Sequence, residues 1–108
     1  MVTVDIKSDK LAVVQLSGPL NVGNAVKIKE SLVEVFSKAE HVLLDIENAE
    51  EVDLSFLQII RSYIESMRNT QKRLTFIKSC PDVFKQTVEN LGMSQHFSFD
   101  FANPDEIT

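Results

Sequence analysis

The sequence predicts an α/β fold: a mixed, largely parallel β-sheet of four to five strands covered by three to four helices, in the order β-β-α-β-α-β-α-β. Three observations predict it. Short apolar runs alternate with longer amphipathic stretches along most of the chain. The run Val42-Leu43-Leu44-Asp45-Ile46 is almost wholly apolar, as expected of a central strand covered on both faces. The first two apolar runs are separated only by the polar turn Ser8-Asp9-Lys10, so they form a hairpin. Later runs are separated by helical patterns, so they are joined by three β-α-β crossovers, which are expected to be right-handed.

From Val2 to Ile6 the residues alternate, with Val2, Val4 and Ile6 on one face and Thr3 and Asp5 on the other. That is a strand with one wet face, at an edge. Leu11 to Leu16 is a second, more apolar strand, broken by Ser17-Gly18-Pro19. Leu20 to Asn24 is a loop leading into a helix, with Asn24, or Asn21 if the helix starts earlier, as the N-cap. Ala25, Ile28, Leu32, Val35 and Phe36 recur at spacings of three and four and carry that helix to about Ser37.

After the central strand, the loop Glu47 to Asp53 holds the acids Glu47, Glu50, Glu51 and Asp53. Phe56, Ile59, Ile60, Tyr63, Ile64 and Met67 then mark a broad apolar helical face that runs to about Asn69. Leu74 to Ile77 reads as another strand. Pro81 suits a first helical position, Val83, Phe84, Thr87, Val88 and Leu91 form the next stripe, and Gly92 ends it. Phe97, Phe99 and Phe101 alternate, which predicts a final short strand over His96 to Phe101. The residues from about 102 onward, Asn103 to Thr108, are expected to fray.

With 108 residues the chain is expected to be a single domain over 1–108. A net charge of -5 argues against non-specific nucleic-acid binding, which needs a basic footprint, and suits a partner that presents Lys and Arg. No apolar run approaches membrane-spanning length, so no direct membrane insertion is expected. One cysteine, Cys80, cannot form an internal disulfide, which fits a cytoplasmic location. Cys80 reads as a small half-buried side chain. One Cys and two scattered His, His41 and His96, lack metal-ligand spacing, and no Gly-rich phosphate loop is present. No nucleophile elbow surrounds Ser55, so neither a catalytic residue nor a cofactor is expected and the chain reads as no enzyme.

The stretch Val52-Asp53-Leu54-Ser55-Phe56-Leu57-Gln58 organises the rest. A strand there empties into a helix through an acidic loop, which puts Ser55 in the first helical turn, where free N–H groups and the positive helix end gather. Ser55 is therefore the best-placed hydroxyl for carrying a phosphate or facing a partner.

Four stretches in this order resemble the STAS domain of anti-sigma factor antagonists and sulfate-transporter regulatory domains. Leu16-Ser17-Gly18-Pro19-Leu20-Asn21 is similar to the family's Leu-x-Gly-x-Leu-Asp turn, with Asn21 replacing the usual Asp. Val42 to Ile46 resembles its central strand. Asp53-Leu54-Ser55-Phe56-Leu57-Gln58 resembles its Asp-Ser-Ser-Gly-Leu-Gly, in which the second Ser is phosphorylated. Val83-Phe84-Lys85 followed by Leu91-Gly92-Met93 resembles its third helix and exit. The resemblance spans about Leu11 to Phe97. It implies a non-enzymatic regulatory module that binds an anti-sigma factor or a GHKL-type serine kinase, with Ser55 as phosphoacceptor and Asn21, Val22, Asp53, Leu54, Ser55 and Gln58 facing the partner. Leu54, Phe56 and Gln58 depart from the family's Ser and Gly residues. That version resembles a branch that includes small subunits of lipid-transport ABC systems, so the alternative is constitutive docking on an ABC ATPase.

Each site residue also has a plainer reading. Ser55 is otherwise the helix cap, Asp53 an acid complementing the helix dipole, and Asn21 a cap or turn residue. Phe56 fits the apolar register and reads as core. Leu54 fits it less well and is the better anchor for a partner.

Overall fold

The computed structural model describes residues 1–106. Strands β1 (Val2–Ile6) and β2 (Leu11–Leu16) form the expected hairpin, with β1 at the sheet edge. β4 (His41–Asp45) and β6 (Arg73–Ile77) follow as parallel neighbours, giving the order β1-β2-β4-β6. The helices are α1 (Ala25–Phe36), α2 (Leu54–Asn69) and α3 (Asp82–Asn90). The result is an α/β fold with a mixed, largely parallel sheet.

Two short strands were not expected. β3 (Gly18–Leu20) and β5 (Ala49–Val52) pair in parallel as a separate two-stranded sheet. Gly18 takes φ +78°, and the register shifts between it and Pro19. The chain break read at Ser17-Gly18-Pro19 is thus real for β2, but pairing resumes at once with a different partner. Part of the acidic loop is that partner.

The expected strand over His96 to Phe101 is absent. Ser94–His96 is a 3-10 turn, and the segment after it runs extended without a ladder. Pairing is limited to a single parallel bridge between Ala102 and Ile77, with Ala102 N–H donating to the Phe76 carbonyl (2.9 Å) and Lys78 N–H to that of Ala102 (2.9 Å). The alternation of Phe97, Phe99 and Phe101 serves packing instead: all three rings lie within 6.3 Å, centroid to centroid, of the Phe84 ring. In the stretch expected to fray from about residue 102, Ala102 is bridged to Ile77 and Pro104–Glu106 form a 3-10 turn. The rest of that expected tail, 107–108, lies outside the described residues.

The core lies between one face of the sheet and the helices. Ala12, Val14, Leu16, Val42, Leu44 and Ile46 meet Ile28, Leu32 and Val35 of α1, Phe56, Leu57, Ile60 and Met67 of α2, and Phe84 and Val88 of α3. Burying each of the large side chains contributes roughly 1.5–3 kcal/mol before entropy is counted. The three helical stripes share this one cluster on one face of the sheet, and β4 is buried on both faces, as its composition suggests. Leu43 and Asp45 point to the opposite face, in register with Val13 and Thr75 and with Gln15 and Ile77. Asp45 is buried there, accepting from the Glu47 N–H (3.0 Å) and paired with Lys78 Nζ (3.1 Å). That contact holds the Lys78 ammonium above its ordinary pKa, first through the hydrogen bond to Asp45.

Candidate functional site

The site is built at the end of the sheet where β2 and β4 finish. Beyond each, the chain adds one small strand, and β3 and β5 zip the two loops together. Leu20 pairs with Val52, and the Asp53 N–H donates to the Leu20 carbonyl (3.3 Å). This brings the Asn21 loop beside the start of α2.

Asp53 then ties the loops. Its Oδ1 accepts from the Phe56 N–H (3.1 Å), and its Oδ2 accepts from the Val22 N–H (2.9 Å). One carboxylate thus caps α2 and clamps the neighbouring loop, using orphan donors from two elements. The capping role considered for Ser55 belongs to Asp53. Asn21 caps a 3-10 turn at Val22–Asn24, accepting from the Gly23 N–H (3.1 Å), while its Nδ2 donates to Glu51 Oε1 (3.3 Å). Asn24 precedes α1 but makes no side-chain cap. Its amide reaches back to the Pro19 carbonyl (2.8 Å).

The cap leaves the N–H groups of Leu54 and Ser55 without intrahelical partners. Ser55 is half-buried, and its hydroxyl takes no hydrogen bond among the described residues. It sits on the wall of an open groove of about 500 Å³ between α1 and α2, with Lys29 and Val33 on one side and Gln58, Ile59 and Tyr63 on the other. Phe56, the next residue, is fully buried. Leu54 is 44% exposed and Val22 71% exposed, so each presents an apolar side chain to solvent at this end. Gln58, Glu50 and Glu51 are exposed, and Asp53 is half-buried. The six residues Asn21, Val22, Asp53, Leu54, Ser55 and Gln58 therefore share one acidic, partly apolar end of the molecule.

Other residues considered from the sequence lie elsewhere. His41 begins β4, at the opposite end of the sheet, with Nε2 2.8 Å from Thr75 Oγ1. Burial, and then the Arg73 guanidinium, lower its pKa. His96 lines a shallow cleft with Arg61 and Glu65. Cys80 is half-buried, and burial raises its thiol pKa. Among the described residues no group of three or more His, Cys, Asp or Glu side chains is placed to hold a metal ion, and no helix is long and apolar enough to cross a membrane.

The sequence pattern did not reveal Glu51 as a partner of Asn21, nor Val22 N–H as a partner of Asp53. The only signal was the pair of Asx residues ending two loops that had to lie side by side.

The family model of the STAS domain matches residues 3–106. This chain belongs to the STAS family. Among solved structures, this STAS chain is similar to the anti-sigma factor antagonist SpoIIAA in its unphosphorylated form, with a TM-score of 0.76 and 12% identity over 98% of this chain and 91% of that one. The Bacillus cell fate determinant SpoIIAA in the phosphorylated form gives a TM-score of 0.72 and 11% identity, over 98% of this chain and 95% of that one. Mglu is similar over 70% of this chain and 19% of its own, with a TM-score of 0.62 and 16% identity. At such identities the likeness is one of fold. A comparison with curated proteins finds no match.

Proposed function

We propose that this STAS domain is a non-enzymatic regulatory module that docks, through the Asn21 loop and the first turns of α2, on an anti-sigma factor or a GHKL-type serine kinase. In this reading Ser55 is the phosphoacceptor. The observation that carries it is the double hydrogen bond of Asp53, to the Phe56 and Val22 N–H groups, which makes the two loops one surface with the Ser55 hydroxyl, unpaired among the described residues, at its edge. The likeness to SpoIIAA in unphosphorylated and phosphorylated forms supports the same reading.

A phosphate on Ser55 would add a charge of about -1.5 to -2 at pH 7. The two free N–H groups and the helix dipole offset part of it. Glu50, Glu51 and Asp53 repel it. The net effect is a change of charge at a contact surface and not a tightening of the fold, so phosphorylation switches docking off. A cytoplasmic location follows from such partners.

The test is intact-mass measurement after incubation with the candidate serine kinase and ATP. The expected result is a single phosphate that is lost in Ser55→Ala. No mass increase, or one that survives the substitution, removes the switch. Capture of an ABC ATPase that is unaffected by Ser55→Asp would instead favour the constitutive subunit.

A further inference from the structure

We propose that this chain forms a symmetric dimer by antiparallel pairing of its β1 edge with the β1 edge of a second copy, centred on Val4.

β1 is the outer strand of the four-stranded sheet, and among the described residues no strand pairs with its other side. Its pairing with β2 decides which backbone groups remain free. Lys7 donates to Leu11 and Ser17 to Met1, so the residues bonded to β2 are the odd-numbered ones. The N–H and C=O groups of Val2, Val4 and Ile6 therefore point out along the edge. Of the usual guards against pairing the strand carries one charge, Asp5, and that carboxylate is neutralised by Lys7 Nζ at 2.6 Å. It holds no Pro, its register with β2 is unbroken, and Lys7 comes after its last residue. Val4 and Ile6, on the face that meets the core, remain 41% and 42% exposed.

The strand is complementary to itself in one register. With Val4 opposite Val4 of the second copy, Val2 falls opposite Ile6 and all three outward-facing residues find partners at once. The apolar side chains then share one face. On the other face Thr3 lies opposite Asp5, where its hydroxyl can donate to the carboxylate. Sliding to centre on Asp5 would set two carboxylates directly opposite each other, so charge selects against it. A two-fold axis through Val4, perpendicular to the sheet, closes the assembly at two chains. It also reverses strand direction, so the two ends carrying Asn21 and Ser55 face opposite ways and both stay open. The proposal does not depend on the function proposed above. The strip is short, so the dimer is concentration-dependent.

Sedimentation equilibrium of the full chain up to millimolar concentration tests it. The average mass should rise from one chain toward two and go no further. Val4→Pro removes an outward N–H without touching the β2 ladder, so it should abolish the rise while the circular dichroism spectrum is retained. Thr3→Asp should weaken the dimer about tenfold by opposing like charges at two symmetric positions, and adding Asp5→Thr should restore it. A mass of one chain throughout, growth beyond two chains, or a dimer indifferent to Thr3→Asp would each overturn the proposal.

Discussion

The second and third helices each follow a parallel strand, β5 and β6, yet they are held there by different means. α2 starts on a carboxylate: Asp53 caps it and clamps the adjoining loop. α3 starts on Pro81, which offers no side-chain cap, and is fixed by what its buried face touches. Phe84 is fully buried, with Phe76 at 5.5 Å and Phe97, Phe99 and Phe101 around it. Thr87 adds a hydrogen bond to the Val52 carbonyl (3.1 Å). A polar junction can be altered by one added charge, whereas an aromatic anchor responds mainly to lost volume. That difference makes the start of α2, and not the start of α3, a place where an added charge can act without unfolding the protein.

The largest effect is expected at α3. Phe84→Ala should cost about 3–5 kcal/mol, because it removes the ring at the centre of the aromatic cluster and leaves a cavity. Chemical denaturation measures this directly. A loss below about 1 kcal/mol would mean that something other than the cluster holds α3.

Asp53→Ala should cost less, about 2 kcal/mol, for a cap and a second acceptor lost together. Its signature is local. Amide exchange should speed up at Val22 and Phe56, the two donors, while the strands keep their protection. Uniform loss of protection would mean that Asp53 supports the whole fold rather than the junction.

Farther along α2, Tyr63 sharpens the contrast. Its hydroxyl is buried with no partner among the described residues, and burial pushes its pKa up to about 12. An orphaned hydroxyl lowers stability, so Tyr63→Phe should raise it by about 1 kcal/mol. The ionisation has a sign of its own. Above an ordinary Tyr pKa of about 10 the unfolded chain loses the proton while the folded chain keeps it, so stability falls as pH rises from there toward the folded value. By that point the loss reaches roughly 2–3 kcal/mol. Melting curves between those limits should show the slope in the parent and less of it in Tyr63→Phe.

Much of this arrangement was legible in the residues, and what was missed shares one cause. The apolar registers of α1, α2 and α3 are local patterns, and Phe56 could be assigned to the core from its place in the stripe alone. β3 and β5 could not be read, because strands of three and four residues carry no period. Gly18 and Pro19 look like breakers, and Glu50 and Glu51 look like loop, until each segment finds the other about thirty residues away, a pairing that no local pattern encodes. The alternation of Phe97, Phe99 and Phe101 misled for the opposite reason. Their period is that of a strand, but the rings are satisfied by Phe84 and Phe76 and need no ladder. At the site, the nearness of Asn21 to Ser55 was implied only by the family resemblance, which sets both facing one partner. The shared carboxylate that fixes it depends on which of two Asx side chains reaches which N–H.

The smallest expected effect on stability is also the most telling. Ser55 donates to nothing among the described residues and is only half-buried, so Ser55→Ala should change stability by less than about 0.5 kcal/mol. Ser55→Asp adds a carboxylate next to Asp53 but also a negative group in the first turn of α2, where the dipole welcomes it. The two terms oppose, and its melting temperature should stay near that of the parent. Binding should not follow suit. If Ser55 faces the partner, the aspartate weakens docking at least tenfold while the alanine leaves it nearly intact. Titration calorimetry of both variants against the same partner separates the cases. Equal affinities would place Ser55 outside the contact, and equal losses would point to the packing of the hydroxyl, not to charge.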